Sequence, residues 1–157
     1  MIETERFLRQ AIELAHVNLE TGGRPFGAVL VMDGEVMATG VNEIHNTNDP
    51  TAHAELVAVR AASRKLGSPN LAGATVYASG HPCPMCMAAM RLAGVKEVVY
   101  AYSNDDGAPY GLSTAAIYAD LARPFSEQSM KIRYVPTRLG ARPDLYAERK
   151  RTQGRKA

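Results

Sequence analysis

Residues 49–56 read DPTAHAEL, and residues 81–94 read HPCPMCMAAMRLAG. Each has the form of a turn running into a helix. Asp49 can cap free N–H groups, and Pro50 has its φ preset for a first turn, so the first stretch predicts a helix from about residue 49 to Leu66, stopped by Gly67. The second predicts a helix carrying Cys83 and Cys86 near its start. How strands feed these two helices decides the fold.

Upstream, Leu8, Ile12, Ala15 and Leu19 recur at helical spacing and stop at Gly22-Gly23, which predicts an amphipathic helix. FGAVLVM (26–32) is a nearly continuous apolar run, as in a strand buried on both faces. Asp33-Gly34 makes a tight turn into EVMAT, giving a hairpin, and the polar loop GVNEIHNTNDP follows. TVYAS (75–79) and KEVVYAY (96–102) flank the cysteine helix as strands. This alternation predicts an α/β sandwich with a largely parallel inner sheet. Beyond it we expect a short helix near Leu112 to Leu121, a peripheral strand at MKIRYV (130–135) and a last helix at 144–151 that runs into the basic tail RKRTQGRK.

The chain has 157 residues, 46% hydrophobic and 22% charged, which suits a single globular domain over 1–157. A net charge of +2 is too small to announce a nucleic-acid or membrane surface. No apolar run approaches the roughly 20 residues of a membrane span, and MIETERFLRQ lacks the apolar core of a signal peptide, so we expect a cytoplasmic protein. In that reducing setting the only two cysteines, three residues apart, point to metal or redox chemistry rather than a structural disulfide.

At i, i+3 on a first helical turn, two sulfurs share one side, where free N–H groups and the helix dipole favour thiolate. His53 and Glu55 are two apart, about 200° around a helix, so in mid-helix they could not serve one point. At the very start they can, because side chains there lean ahead of the axis. A site between two helix starts would then take one imidazole and two thiolates, leaving zinc's fourth position for water with Glu55 beside it. An open position implies chemistry, since zinc acidifies bound water and a glutamate can carry its proton.

His53-Ala54-Glu55 with Pro82-Cys83-Pro84-Met85-Cys86 is the H-x-E…P-C-x-x-C signature of zinc deaminases. Together with PFGAVLV and NDPTAHAE, it resembles the cytidine-deaminase-like superfamily over roughly residues 5 to 120, most closely the bacterial guanine deaminase branch, with the tRNA-adenosine deaminase branch next. The resemblance implies a three-layer α/β/α sandwich with a mixed five-stranded sheet. It implies zinc on His53, Cys83 and Cys86, and Glu55 as proton shuttle. It also implies a homodimer, with the C-terminal segment swapped in some members. By position Asn42 matches the asparagine that holds the substrate ring, Phe26 is placed to stack on it, and the Ala54 backbone N–H is placed to bind a ring carbonyl.

Plainer readings compete. The same ligands would form a structural zinc site if His16, His45 or His81 filled the fourth position. Phe26 fits core packing, Asn42 fits loop hydrogen bonding, and His81, where the family has an acidic residue, fits a partly exposed loop. Met85, Met87 and Met90 suit packing of the helix on the sheet. The basic tail suits a solvated helix end.

The substrate must be a flat ring bearing an amidine-like C–NH₂. Guanine deaminases carry glycine-phenylalanine-aspartate-aspartate after the fourth strand, where this chain has Gly111-Leu112-Ser113-Thr114, so an acidic contact to the ring is missing unless Asp105 or Asp106 replaces it. The tRNA branch has a lysine-threonine-glycine-alanine pattern that is absent here, and the loop Asn104-Asp105-Asp106-Gly107 is acidic. We therefore expect a small heterocyclic substrate, guanine-like first with cytosine-like or triazine-like rings behind it, and neither membrane nor nucleic acid as partner.

Overall fold

A computed structural model describes residues 2–154, which fall into two compact units meeting between Ala122 and Arg123. In the first unit, α1 (Glu3–Glu20) precedes a hairpin of β1 (Gly27–Met32) and β2 (Glu35–Val41). A single turn α2 (Ile44–Thr47) leads to α3 (Ala54–Leu66), then β3 (Thr75–Gly80), α4 (Pro84–Ala93) and β4 (Glu97–Tyr102). Two short helices, α5 (Asn104–Gly107) and α6 (Ala115–Leu121), follow.

The sheet order is β2-β1-β3-β4. β1 runs antiparallel to both β2 and β3, and only β3 and β4 are parallel. The sheet is thus mixed, rather than largely parallel, because a two-residue hairpin supplies one neighbour of β1 and forces an antiparallel pair. Among the described residues it has four strands and not five. The segment expected to be the fifth, residues 130–135, forms no strand, and Met130, Tyr134 and Val135 are exposed. Alternating residues become a strand only when a neighbouring edge accepts their backbone hydrogen bonds, and nothing in a six-residue pattern identifies that edge.

Side chains of β1 alternate between two cores. Ala28 and Leu30 pack with α3 and α4 through Leu56, Ala58, Ala62, Cys86 and Met90. Val29 and Val31 pack with Phe7, Ala11 and Tyr77 on the α1 side. Helices therefore cover both faces, and β1 is buried on both, as its continuous apolar run implied. On α1 the buried residues are Phe7, Ala11, Ala15 and Asn18; of the expected Leu8-Ile12-Ala15-Leu19 stripe, Ala15 is buried, Leu8 and Ile12 are half-buried and Leu19 is exposed. Small Ala11 and Ala15 let the helix approach the sheet closely: a Cβ on Gly27 would lie 2.4 Å from the Ala11 carbonyl.

The start of α3 differs from the sequence reading and matters more. Asp49 does not cap it. Its Oδ1 accepts from the Thr51 N–H at 2.9 Å and the Thr51 hydroxyl at 2.7 Å, closing a local turn, and the helix begins at Ala54 with His53 as N-cap. Asp and Pro favour turns as much as helix starts, and here the turn wins because Glu43 N–H ties to the Ala52 carbonyl at 2.9 Å, holding that stretch extended. Gly40 seats the new start. A Cβ there would fall 2.2 Å from the Ala54 carbonyl and 2.7 Å from the Ala58 N, so only glycine lets the first turn of α3 lie on β2.

The second unit contains a 3₁₀ turn at Phe125–Glu127 and α7 (Leu145–Gly154), the counterpart of the last helix expected at 144–151. No described residue in it is buried. The end of the basic tail lies outside the described residues.

Candidate active site

β1, β3 and the loop after β2 bring two helix starts together. His53 is the N-cap of α3 and Cys83 the N-cap of α4, with Pro84 following as first helical residue. The His53 side chain does not cap its helix, and Cys83 reaches in its own helix only to Cys86. They turn instead toward each other: Cys83 Sγ lies 3.5 Å from His53 Nδ1, Cys86 Sγ lies 3.6 Å from the same atom, and the sulfurs are 3.6 Å apart.

Those separations test the fit of a metal. Bond lengths of about 2.3 Å to sulfur and about 2.0 Å to nitrogen give a zinc tetrahedron with edges of about 3.8 Å between sulfurs and about 3.5 Å from sulfur to nitrogen. The three donors already stand on such edges. Among the described residues no fourth His, Cys, Asp or Glu joins them, so His16, His45 and His81 do not complete a structural site. At 3.6 Å the sulfurs are far from the roughly 2.05 Å of a disulfide.

The electrostatics suit the same purpose. The Cys83 thiol is drawn down to about 4, first by the hydrogen bond from Cys86 and then by His53, against the opposing effect of burial. Cys86 retains its proton because it is the donor in that bond and because it is buried. His53 is raised by its hydrogen bond to Cys83. One thiolate is thus preformed, and a dication binding between the sulfurs would displace the remaining proton.

Glu55 occupies the second position of α3 and is 7% exposed. Burial raises its carboxyl above the ordinary carboxylate range. A buried carboxyl that holds its proton more firmly than usual is suited to carrying one, as a shuttle must.

His53, Glu55 and Cys83 line a cavity of about 390 Å³, whose walls also include Arg24, Phe26, Asn42, Ala54 and Thr114. Asn42 is buried, and its Oδ1 accepts from the Ile44 N–H at 3.1 Å, while among the described residues Nδ2 has no hydrogen bond and remains a donor for the cavity. Loop bonding, the plainer reading, therefore accounts for half of the side chain. The half-buried Phe26 ring leans on Gly80, where a Cβ would come within 3.2 Å of it, and separates this cavity from a larger neighbour of about 530 Å³. The Ala54 N–H, first in its helix, has no intrahelical acceptor.

His81 is more than a loop residue. Its N–H donates to the Tyr102 carbonyl at 2.7 Å, prolonging the β3–β4 pairing, and its ring packs on Tyr100 at 4.8 Å and Tyr118 at 5.4 Å. The Tyr118 hydroxyl donates to the Pro82 carbonyl, so α6 grips the loop that delivers Cys83. Sequence reasoning missed Tyr118, 36 residues from its partner with no local pattern to betray it, and missed Arg24 on the cavity wall. It also left Asp106 open as a substitute acid. That carboxylate is committed to a capping box, accepting from the Ser103 N–H at 2.8 Å and its hydroxyl at 3.1 Å, and it does not line this cavity.

Residues 1–102 match the family model for the cytidine and deoxycytidylate deaminase zinc-binding region. Guanine deaminase of Bacillus subtilis (strain 168) is 42% identical over 127 residues, 80% of this chain and 81% of that enzyme. The tRNA-specific adenosine deaminase of Agrobacterium fabrum is 38% identical over 107 residues, 68% of this chain and 70% of its own. The crystal structure of guanine deaminase from Bacillus subtilis aligns with a TM-score of 0.82 at 36% identity, covering 98% of this chain and 94% of that one. Since the matched region holds both helix starts and all three sulfur and nitrogen donors, the chain belongs to the cytidine and deoxycytidylate deaminase zinc-binding family.

Proposed function

We propose that this protein hydrolyses the exocyclic amine of a free nucleobase or related aminated heterocycle, guanine-like first, with His53, Cys83 and Cys86 as zinc ligands and Glu55 as proton shuttle. The observation that carries this is the donor triangle, already at zinc's tetrahedral edges, beside a buried carboxyl in a ring-sized cavity. Zinc held there supplies Lewis acidity, bringing water's proton within reach of a carboxylate at neutral pH.

Glu55 takes that proton and hands it to the ring nitrogen beside the aminated carbon, which readies the carbon for attack. It then delivers a proton to the departing amine, so C–NH₂ plus water becomes C=O plus ammonia. Asn42 Nδ2 donates to the ring, the Ala54 N–H binds a ring carbonyl, and the Phe26 face packs on the ring plane, fixing the reacting atoms in line.

Guanine comes first because a guanine deaminase matches the chain across most of both sequences. A panel of guanine, cytosine, adenine and aminotriazines, scored for ammonia release by zinc-loaded protein, should give turnover on a 2-amino ring and none on tRNA. Activity on tRNA alone would transfer the site to the RNA branch.

The chain acts as one deaminase domain in the cytoplasm, in keeping with two free thiols and with the lack, among the described residues, of any helix long and apolar enough to cross a membrane. It works as a homodimer with the C-terminal segment exchanged between copies. Support comes from that segment's exposed Phe125, Met130, Tyr134, Leu145 and Tyr146, a surface too apolar for an unpartnered unit. Light scattering should return twice the chain mass. A monomer at micromolar concentration would discard the exchange.

A further inference from the structure

We propose that Tyr118 is a positioning residue of the metal centre: by holding the Pro82 carbonyl it fixes the backbone that sets the Cys83 sulfur in the donor triangle, and so tightens this chain's hold on zinc. This rests on the zinc-site reading above.

The passage from β3 to α4 is pinned at both ends. Upstream the His81 N–H donates to the Tyr102 carbonyl at 2.7 Å, and downstream the Cys83 carbonyl accepts from the Met87 N–H at 3.0 Å. Pro82 lies between them with no N–H to give. Its carbonyl takes the Tyr118 hydroxyl, from 36 residues away along the chain. That carbonyl belongs to the rigid peptide plane that enters Cys83, so turning it would swing the Cys83 Cα–Cβ bond and the sulfur with it. Cys83 Sγ has to keep 3.5 Å to His53 Nδ1 and 3.6 Å to Cys86 Sγ, and a metal site tolerates errors of only about 0.5 Å.

α6 is seated for this contact. With seven residues it is too short to be stable alone. Ile117 and Leu121 are exposed, and of its aliphatic and aromatic residues only Tyr118 is partly buried. The Tyr118 ring stands edge-on to His81 at 5.4 Å, and that imidazole packs in turn on Tyr100 at 4.8 Å. Ring packing thus aims the phenol, and the phenol O–H, a donor at neutral pH, meets one acceptor in the metal loop.

A bond that served the fold alone would be worth the same with and without metal. This one acts on the backbone just ahead of a ligand, so its worth grows when zinc draws the three donors together. Partners that hold a ligand from outside the coordination shell are worth about 10- to 100-fold in metal affinity.

The test is the zinc affinity of the full chain, read by competition with a chromophoric chelator, in wild type, Tyr118→Phe and Tyr100→Phe. Phenylalanine keeps each ring beside His81 and removes only a hydroxyl. Tyr118→Phe should raise the zinc Kd about tenfold or more and alter the ligand-field absorption of the cobalt-substituted protein, which reports donor geometry. Its melting temperature should fall further with zinc bound than after chelation. Tyr100→Phe leaves the Pro82 carbonyl bonded and should match wild type in affinity and spectrum.

A Tyr118→Phe zinc Kd within about twofold of wild type, an unchanged cobalt spectrum, or the same loss in Tyr100→Phe would each overturn the assignment. So would equal falls in melting temperature with and without zinc, the mark of a merely structural bond. A wild type that binds zinc and turns over no ring would overturn the deaminase reading alone, since Tyr118 is judged on affinity. A wild type that binds no zinc would overturn both.

Discussion

Glu55→Gln protein should retain its zinc and lose at least about 10²-fold in kcat, the usual scale for removing a general acid–base group. Zinc stays because the three donors that stand on its tetrahedral edges are untouched, and Glu55 is outside that cluster. Activity goes because glutamine matches glutamate's shape and cannot carry a proton. Metal analysis beside steady-state kinetics checks both halves, and a wild-type rate would remove Glu55 from its role.

The same substitution should reveal what the carboxyl costs the fold. Burial raises the Glu55 carboxyl above the ordinary value of an exposed glutamate, about 4.3. Below that value folded and unfolded chains both hold the proton, and the group leaves stability unchanged. As pH climbs past it the unfolded chain ionises freely while the buried carboxyl resists, so stability falls with rising pH until the folded group also ionises. Zinc-stripped Glu55→Gln should therefore unfold at higher denaturant concentration than zinc-stripped wild type at pH 7, and the advantage should vanish near pH 4. Equal midpoints at pH 7 would mean that the carboxyl carries no burial cost.

Cys83→Ala should release zinc and melt well below the wild type. Binding to the folded state alone stabilises by RT ln(1 + [L]/Kd), about 4 kcal/mol at a thousandfold excess over Kd. At about 2–4 °C per kcal/mol for a chain of this size, that corresponds to a drop of about 10 °C. A chelator added to wild type gives the matching control, since stripped wild type and the variant should melt close together. If the variant keeps full metal content and melting temperature, Cys83 is not a ligand.

Much of this molecule was legible in its sequence. The alternation of strands and helices, the Asp33-Gly34 hairpin and the doubly buried β1 follow from local periodicity and turn chemistry, which act over a few residues and leave their mark there. The grouping of His53, Cys83 and Cys86 was announced by the H-x-E…P-C-x-x-C signature and the family resemblance it carries, and the structure brings the three together at two helix starts.

Tertiary structure decided the rest. It moved the beginning of α3 from Asp49 to Ala54, since a backbone bond from Glu43 to Ala52 outweighed a local preference for helix. It seated α1 on Ala11 and Ala15 and left Leu19 exposed, because close approach to Gly27 selects small side chains. It withheld a strand from residues 130–135 and made the sheet mixed and four-stranded, because strand pairing is a contract between distant segments. It brought Tyr118 to Pro82 and left the Thr114 hydroxyl buried without a hydrogen-bond partner among the described residues. Motifs reside in short stretches and report chemistry, whereas edges, partners and orphaned atoms exist only once the chain has closed on itself.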